Sequence, residues 1–134
     1  MKRVFADAYY FIALANRADA GHSRAKAFGA QFNGERLTTV PVLLEFADAT
    51  AGSHRREEVA RMIRKLMESS RWKIRQIDGG LMERGLALYA ARPDKKWSLT
   101  DCISFLTMQD EELTDALTDG HHFVQAGFNA LLRE

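Results

Sequence analysis

Apolar and polar positions fall into short blocks that alternate between two periods. Arg3-Val4-Phe5-Ala6 is an apolar run closed by Asp7, the pattern of a buried strand. A helix is predicted over 9–15, and a second over 22–32, where Ala25, Phe28 and Phe32 recur at helical spacing. Leu37-Thr38-Thr39 is β-prone and leads to Pro41, which suits a first helical turn, and the helix continues through Ala47 until Gly52-Ser53 breaks it. Ser53 is placed to cap the next helix, whose Val59, Met62, Ile63, Leu66 and Met67 share one face. Residues 72–77 alternate with period two, as a half-buried strand does. Asp78 is then expected to cap a helix that turns Leu81, Met82, Leu86 and Tyr89 inward. After a polar loop over 93–96, Ser98 opens a largely apolar helix containing Cys102, Ile103, Phe105, Leu106 and Met108. Ala116-Leu117-Thr118 reads as a short buried strand and 128–132 as a last one.

Strands alternating with helices predict an α/β fold with a mostly parallel sheet, in one domain over 1–134. Open sheets of this kind bind ligands beyond the C-terminal ends of their strands. Asp7 and Asp119 fall at strand ends, while Glu45 and Asp101 fall near helix starts that belong to the same edge. Four carboxylates far apart in sequence are thereby expected in one crevice.

Composition narrows the chemistry. The chain of 134 residues is 46% hydrophobic and 28% charged, ordinary for a globular protein. Cys102 stands alone, so no intrachain disulfide forms, and a reducing cytoplasm is compatible. The N-terminal apolar run is too short for a signal peptide, and no segment approaches the roughly 20 apolar residues of a membrane span, so a cytoplasmic location without membrane contact is expected. The net charge of +1 is uneven: 53–75 carries eight Lys/Arg against Glu57, Glu58 and Glu68, a net +5. Such a block is either a solvated helix face or a surface for a polyanion such as RNA. There is no Ser/His/Asp motif, Gly-rich phosphate loop or CxxC zinc pair, and His121-His122 lack a second ligand pair, which favours a structural or hydrogen-bonding role.

The acids remain. Clustered carboxylates repel one another unless a cation neutralises them. Mg²⁺ takes carboxylate oxygens together with waters and substrate phosphate, and can activate water against a phosphodiester. Each acid also has a plainer reading. Asp7 suits a helix N-cap, Asp101 stands three residues after Ser98 as in a capping box, and Asp119-Gly120 looks like a turn. Glu45 lies among Val42, Leu43, Leu44 and Phe46 and needs a partner, a metal or the wet edge of its helix. Asp110, Glu111 and Glu112 read as a solvated helix end.

Val4-Phe5-Ala6-Asp7-Ala8, Glu45 after Pro41-Val42-Leu43-Leu44, Trp97-Ser98-Leu99-Thr100-Asp101-Cys102-Ile103-Ser104-Phe105 and Ala116-Leu117-Thr118-Asp119-Gly120-His121-His122-Phe123 with Gln125-Ala126-Gly127-Phe128 together resemble PIN-domain proteins, in particular the VapC-like toxin ribonucleases. The resemblance spans nearly the whole chain. It implies a three-layer α/β/α sandwich, and RNA cleavage dependent on Mg²⁺ or Mn²⁺ by the acids Asp7, Glu45, Asp101 and Asp119. Asp7 and Asp101 would be the main metal ligands, with Glu45 completing the site. It also implies a cognate antitoxin and homodimers. The chain departs from the family at one place: the fourth acid is usual two residues after the threonine, where this sequence has Gly120, with Asp119 one residue early. A weakened domain that binds RNA or a partner without cutting is the alternative. A receiver-like phosphoacceptor is disfavoured, because no lysine follows Lys96.

Overall fold

A computed structural model describes residues 2–133. Five parallel strands form one sheet in the order β3-β2-β1-β4-β5: β1 (Arg3–Ala6), β2 (Glu35–Thr39), β3 (Trp72–Arg75), β4 (Asp115–Leu117) and β5 (Asn129–Ala130). The fold is the expected α/β arrangement with helices packed on the sheet. Val4, Phe5 and Ala6 are wholly buried, which explains why the central strand reads as a continuous apolar run with no alternation. The connections are α1 (Ala8–Ala15), α2 (His22–Gln31), α3 (Val40–Ala49), α4 (Arg56–Glu68), α5 (Gly79–Ala91), α6 (Leu99–Asp110) and α7 (His121–Gln125). No helix among the described residues is long and apolar enough to cross a membrane.

The strand order reverses between β1 and β4. From β1 the chain steps outward to β2 and β3, then crosses back to β4 on the other side of β1. Such a switch point opens a crevice between the two diverging connections, at the C-terminal ends of the strands. Asp7 leaves β1 there, its N–H donating to Leu117 O at the end of β4 (3.3 Å). α6 starts at this edge and runs to the opposite one, where Glu111 meets Arg3 at the first residue of β1 (2.7 Å).

Local signals explain most boundaries. Asp7, Thr39, Asp78 and Ser98 each cap the following helix through a side-chain oxygen, and Pro41 lies in the first turn of α3. Three expectations are corrected. Ser53 does not cap α4; its hydroxyl accepts from Arg55 N–H (3.1 Å) one turn earlier, and the helix starts at Arg56 without a side-chain cap. On α5, Leu81 and Gly85 are buried, whereas Met82, Leu86 and Tyr89 are 37%, 40% and 53% exposed. The reason is the glycine: a Cβ at Gly85 would stand 2.9 Å from Ile103 Cγ1, so α5 and α6 approach along this small residue and α5 turns its bulkier stripe outward. Finally, Asp110 and Glu111 are not merely solvated. Asp110 pairs with Arg75 and Arg84 (both 2.8 Å), and Glu111 with Arg3 (2.7 Å) and Lys73 (3.0 Å).

Candidate metal centre

Four segments meet at the switch point. Asp7, partly buried, sits between β1 and α1. Its Oδ1 accepts from Ala8 N–H (2.8 Å) and its Oδ2 from the Thr118 hydroxyl (2.8 Å). Thr118 is wholly buried and its Oγ1 in turn accepts from Gly120 N–H (3.0 Å), so its own proton is committed to Asp7. Asp101, in the first turn of α6, forms a capping box with Ser98: Ser98 N–H donates to Asp101 Oδ2 and Asp101 N–H to Ser98 Oγ (both 3.0 Å). His122 of α7 approaches the same Oδ2 through Nδ1 (3.0 Å). Because an ionised carboxylate only accepts, Nδ1 is the donor in this bond. Glu45 lies exposed midway along α3, not near its start as expected, because the helix already begins at Val40.

Asp7 and Glu45 both lie within reach of the charge of Asp101. Burial pushes the Asp7 carboxyl up to about 7; the Thr118 and Ala8 hydrogen bonds pull against it, and the charges of Glu45 and Asp101 add to the rise. Glu45 is raised as well, by desolvation and then by Asp101. Among the described residues, no three acidic, histidine or cysteine side chains already converge tightly enough to enclose a metal ion. The donors nevertheless suit a hard cation that keeps part of its water shell: all are carboxylates, the hydrogen bonds of Asp7 and Asp101 leave lone pairs over, and a cation would offset the burial and like charge that raise Asp7.

Asp119 lies elsewhere. It is exposed, its charged neighbours are Asp19 and Arg133, and it lines a separate recess with Tyr9 and Arg24. The structure brings Asp7, Glu45 and Asp101 together and leaves Asp119 outside. Adjacent positions in this turn point differently: Gly120 is the residue beside the site, a Cβ there falling 3.1 Å from Thr118 Oγ1.

Two supporting residues carry no distinct sequence signal. Thr118 reads as part of a strand, and its link to Asp7 spans 111 positions. Buried Ser104, one turn beyond Asp101, has a side-chain oxygen without a partner. Trp97 anchors its loop, being 7% exposed, with its Nε1–H donating to Gln125 Oε1 of α7 (3.1 Å) and Arg92 stacked 5.0 Å from its ring. That contact ties the loop before Asp101 to the helix of His122.

No family model matches the chain, and no curated protein matches it. Solved structures do. The crystal structure of Mycobacterium tuberculosis VapC20, described as a sarcin-ricin loop cleaving toxin, superposes with a TM-score of 0.85 at 22% identity, over 93% of this chain and 95% of that one. FitAcB from Neisseria gonorrhoeae gives 0.66 at 15% identity, over 95% of each chain. The chain has the PIN-like fold of these proteins.

Proposed function

We propose that the chain is a metal-dependent endoribonuclease, the toxin of a VapBC-type toxin–antitoxin pair. The observation that carries the reading is that Asp7 and Glu45, at the switch point of a PIN-like sheet, both lie within reach of the charge of Asp101, and Asp7 within reach of that of Glu45. A fold shared with an RNA-cleaving toxin supports it, as does the net +5 of 53–75. Asp7, Glu45 and Asp101 would hold Mg²⁺ or Mn²⁺, which when bound would neutralise charge on the phosphodiester and ease ionisation of water.

The chain's own groups prepare that site. Thr118 and Ala8 N–H fix the Asp7 carboxyl, and Ser98 with His122 fix Asp101. Glu45, nearer solvent, would complete the set. His122 acts as a positioning residue for Asp101. Asp119 is left out of the ligand set because its electrostatic neighbours belong to another recess. The antitoxin and the homodimer belong to the same proposal, and the exposed stripe of Met82, Leu86 and Tyr89 on α5 supports self-association.

Purified protein should cut RNA with Mg²⁺ or Mn²⁺ and stop on addition of EDTA. Glu45→Gln should lower the rate at least tenfold; an unchanged rate would remove Glu45 from the site. One observation favours the second reading, a domain that binds RNA without cutting: the acids are not closed around a single point. Tight RNA binding with no turnover across Mg²⁺, Mn²⁺, Co²⁺ and Zn²⁺ would select it.

A further inference from the structure

Arg36 is a charged residue of the sheet that neither the motif pattern nor the acidic centre uses. It lies on β2 and is 6% exposed. Its Nη2 donates to Gly29 O (3.1 Å) and Phe32 O (2.9 Å), its guanidinium stands 5.2 Å from the Phe32 ring centre, and it bonds the Tyr10 side chain. None of these partners is a carboxylate. A buried guanidinium satisfied only by neutral groups lacks the counter-charge that such a group needs.

Two more cations reach the same place. A cavity of about 360 Å³ between α1, α2, α4 and the start of β3 has apolar walls from α1, α4 and Trp72, with Arg36, Lys65, Arg71 and Tyr10 as its polar members, and no acidic residue lines it. Lys65 and Arg71 form no ion pair among the described residues, although neighbours in the same basic segment do: Arg61 with Glu57, Lys73 with Glu111 and Arg75 with Asp110. Arg55, Arg56 and Arg64 of that segment form no ion pair among the described residues either, but only Lys65 and Arg71 join Arg36 in lining this cavity. Arg36 N–H donates to Arg71 O (3.1 Å), which fixes the two strands that carry the guanidinium groups.

We propose that this cavity is a phosphate-binding site distinct from the acidic edge, with Arg36 as its buried anchor and Lys65 and Arg71 at its mouth. The Arg71 fork and the Lys65 ammonium can donate to a tetrahedral dianion, while Arg36, its Nη2 held by Gly29 O and Phe32 O, supplies fixed positive charge behind them. Arg36 pairs in register with Val4, three residues before Asp7, which is about 10 Å along the strand. The site is therefore separate from the proposed catalytic centre and stands whether or not that centre cuts RNA. The phosphate could be free, as in inorganic phosphate or a mononucleotide, or part of an RNA backbone.

The test is thermal shift and calorimetry on the full chain at fixed ionic strength. Inorganic phosphate, adenosine 5′-monophosphate and a short single-stranded RNA are compared with chloride and acetate. At least one phosphate probe should raise the melting temperature saturably, and Lys65→Gln/Arg71→Gln should weaken that probe at least tenfold. Asp7→Asn should leave it unchanged. RNA alone showing the loss assigns the backbone as the source, and the small probes showing it assign free phosphate. Lys65 and Arg71 are exposed, so this variant tests the site even if changes at Arg36 unfold the protein. Equal stabilisation by acetate, undiminished binding by the double variant, or no saturable effect from any phosphate probe overturns the proposal.

Discussion

Asp7 has two roles that its sequence position presents as alternatives. It caps α1, and burial, with the charges of Glu45 and Asp101 added, raises its carboxyl to about 7. Asp101 likewise serves both as the N3 member of a capping box and as part of the acid group. The capping roles were legible locally, since each needs only a few consecutive residues. The convergence was legible only through motif order, because β1, α3 and α6 are brought together by the sheet and by no local spacing. The doubt over Asp119 was legible in its place one residue early, ahead of Gly120, but the recess it faces was not, as that depends on the direction of one turn.

A carboxyl raised from 3.8 to about 7 is a stability statement. In this case the folded state holds the proton more tightly than the unfolded chain. The stabilising contribution is full below the unfolded value and is lost as pH rises through about 7, so the metal-free protein carries the full penalty above neutrality. Asp7→Asn should therefore raise the melting temperature at pH 8, by an amount corresponding to about 1–3 kcal/mol, and do little at pH 4, while removing cleavage. Thermal melts at both values with chelator present check this; a variant less stable at pH 8 would contradict it. Thr118→Val removes a hydrogen bond that favours the ionised form. It should shift the acidic limb of the pH–rate profile upward.

At the scale of elements, the period of apolar residues identified helices and strands but misjudged one face. α5 carries two apolar stripes, and the one chosen from side-chain size is the exposed one. Close packing through Gly85 against Ile103 decides the matter, and a residue with no side chain leaves no mark in a hydrophobicity pattern. Gly85→Val should separate α5 from α6 and destabilise the fold by about 1–3 kcal/mol, measured by denaturant midpoint. The end of α6 was misjudged for a related reason: its acids meet cations from β1, β3 and α5, all remote in sequence. Hydrogen bonds from Arg84 and then Arg75 hold Asp110 at about 2, so its contribution is present above the ordinary carboxylate range and fades as pH falls towards 2. The group is partly exposed, and Asp110→Asn should cost no more than about 1 kcal/mol at neutral pH.

For the whole molecule, strand order does what no single motif can. Reversal between β1 and β4 opens the crevice, and the chain returns to it with α3, α6 and α7. Parallel order and the placing of the acids at the C-terminal edge followed from alternating elements. The second cationic site did not, because Arg36 looks like one polar residue at the start of a strand. Self-association through α5 is testable separately: Leu86→Glu should convert a dimer to a monomer in light scattering without altering the acid centre, and a dimer that survives would place the interface elsewhere.

The central claim is that Asp7, Glu45 and Asp101 act as a set and Asp119 does not. It is tested most directly by single-turnover cleavage of labelled RNA in saturating Mn²⁺, comparing wild type, Asp101→Asn and Asp119→Asn. The account predicts that Asp101→Asn loses at least a hundredfold in rate while Asp119→Asn stays within about threefold of wild type, where each tenfold is about 1.4 kcal/mol of barrier. Full activity in Asp101→Asn, or loss of cleavage in Asp119→Asn, would contradict it.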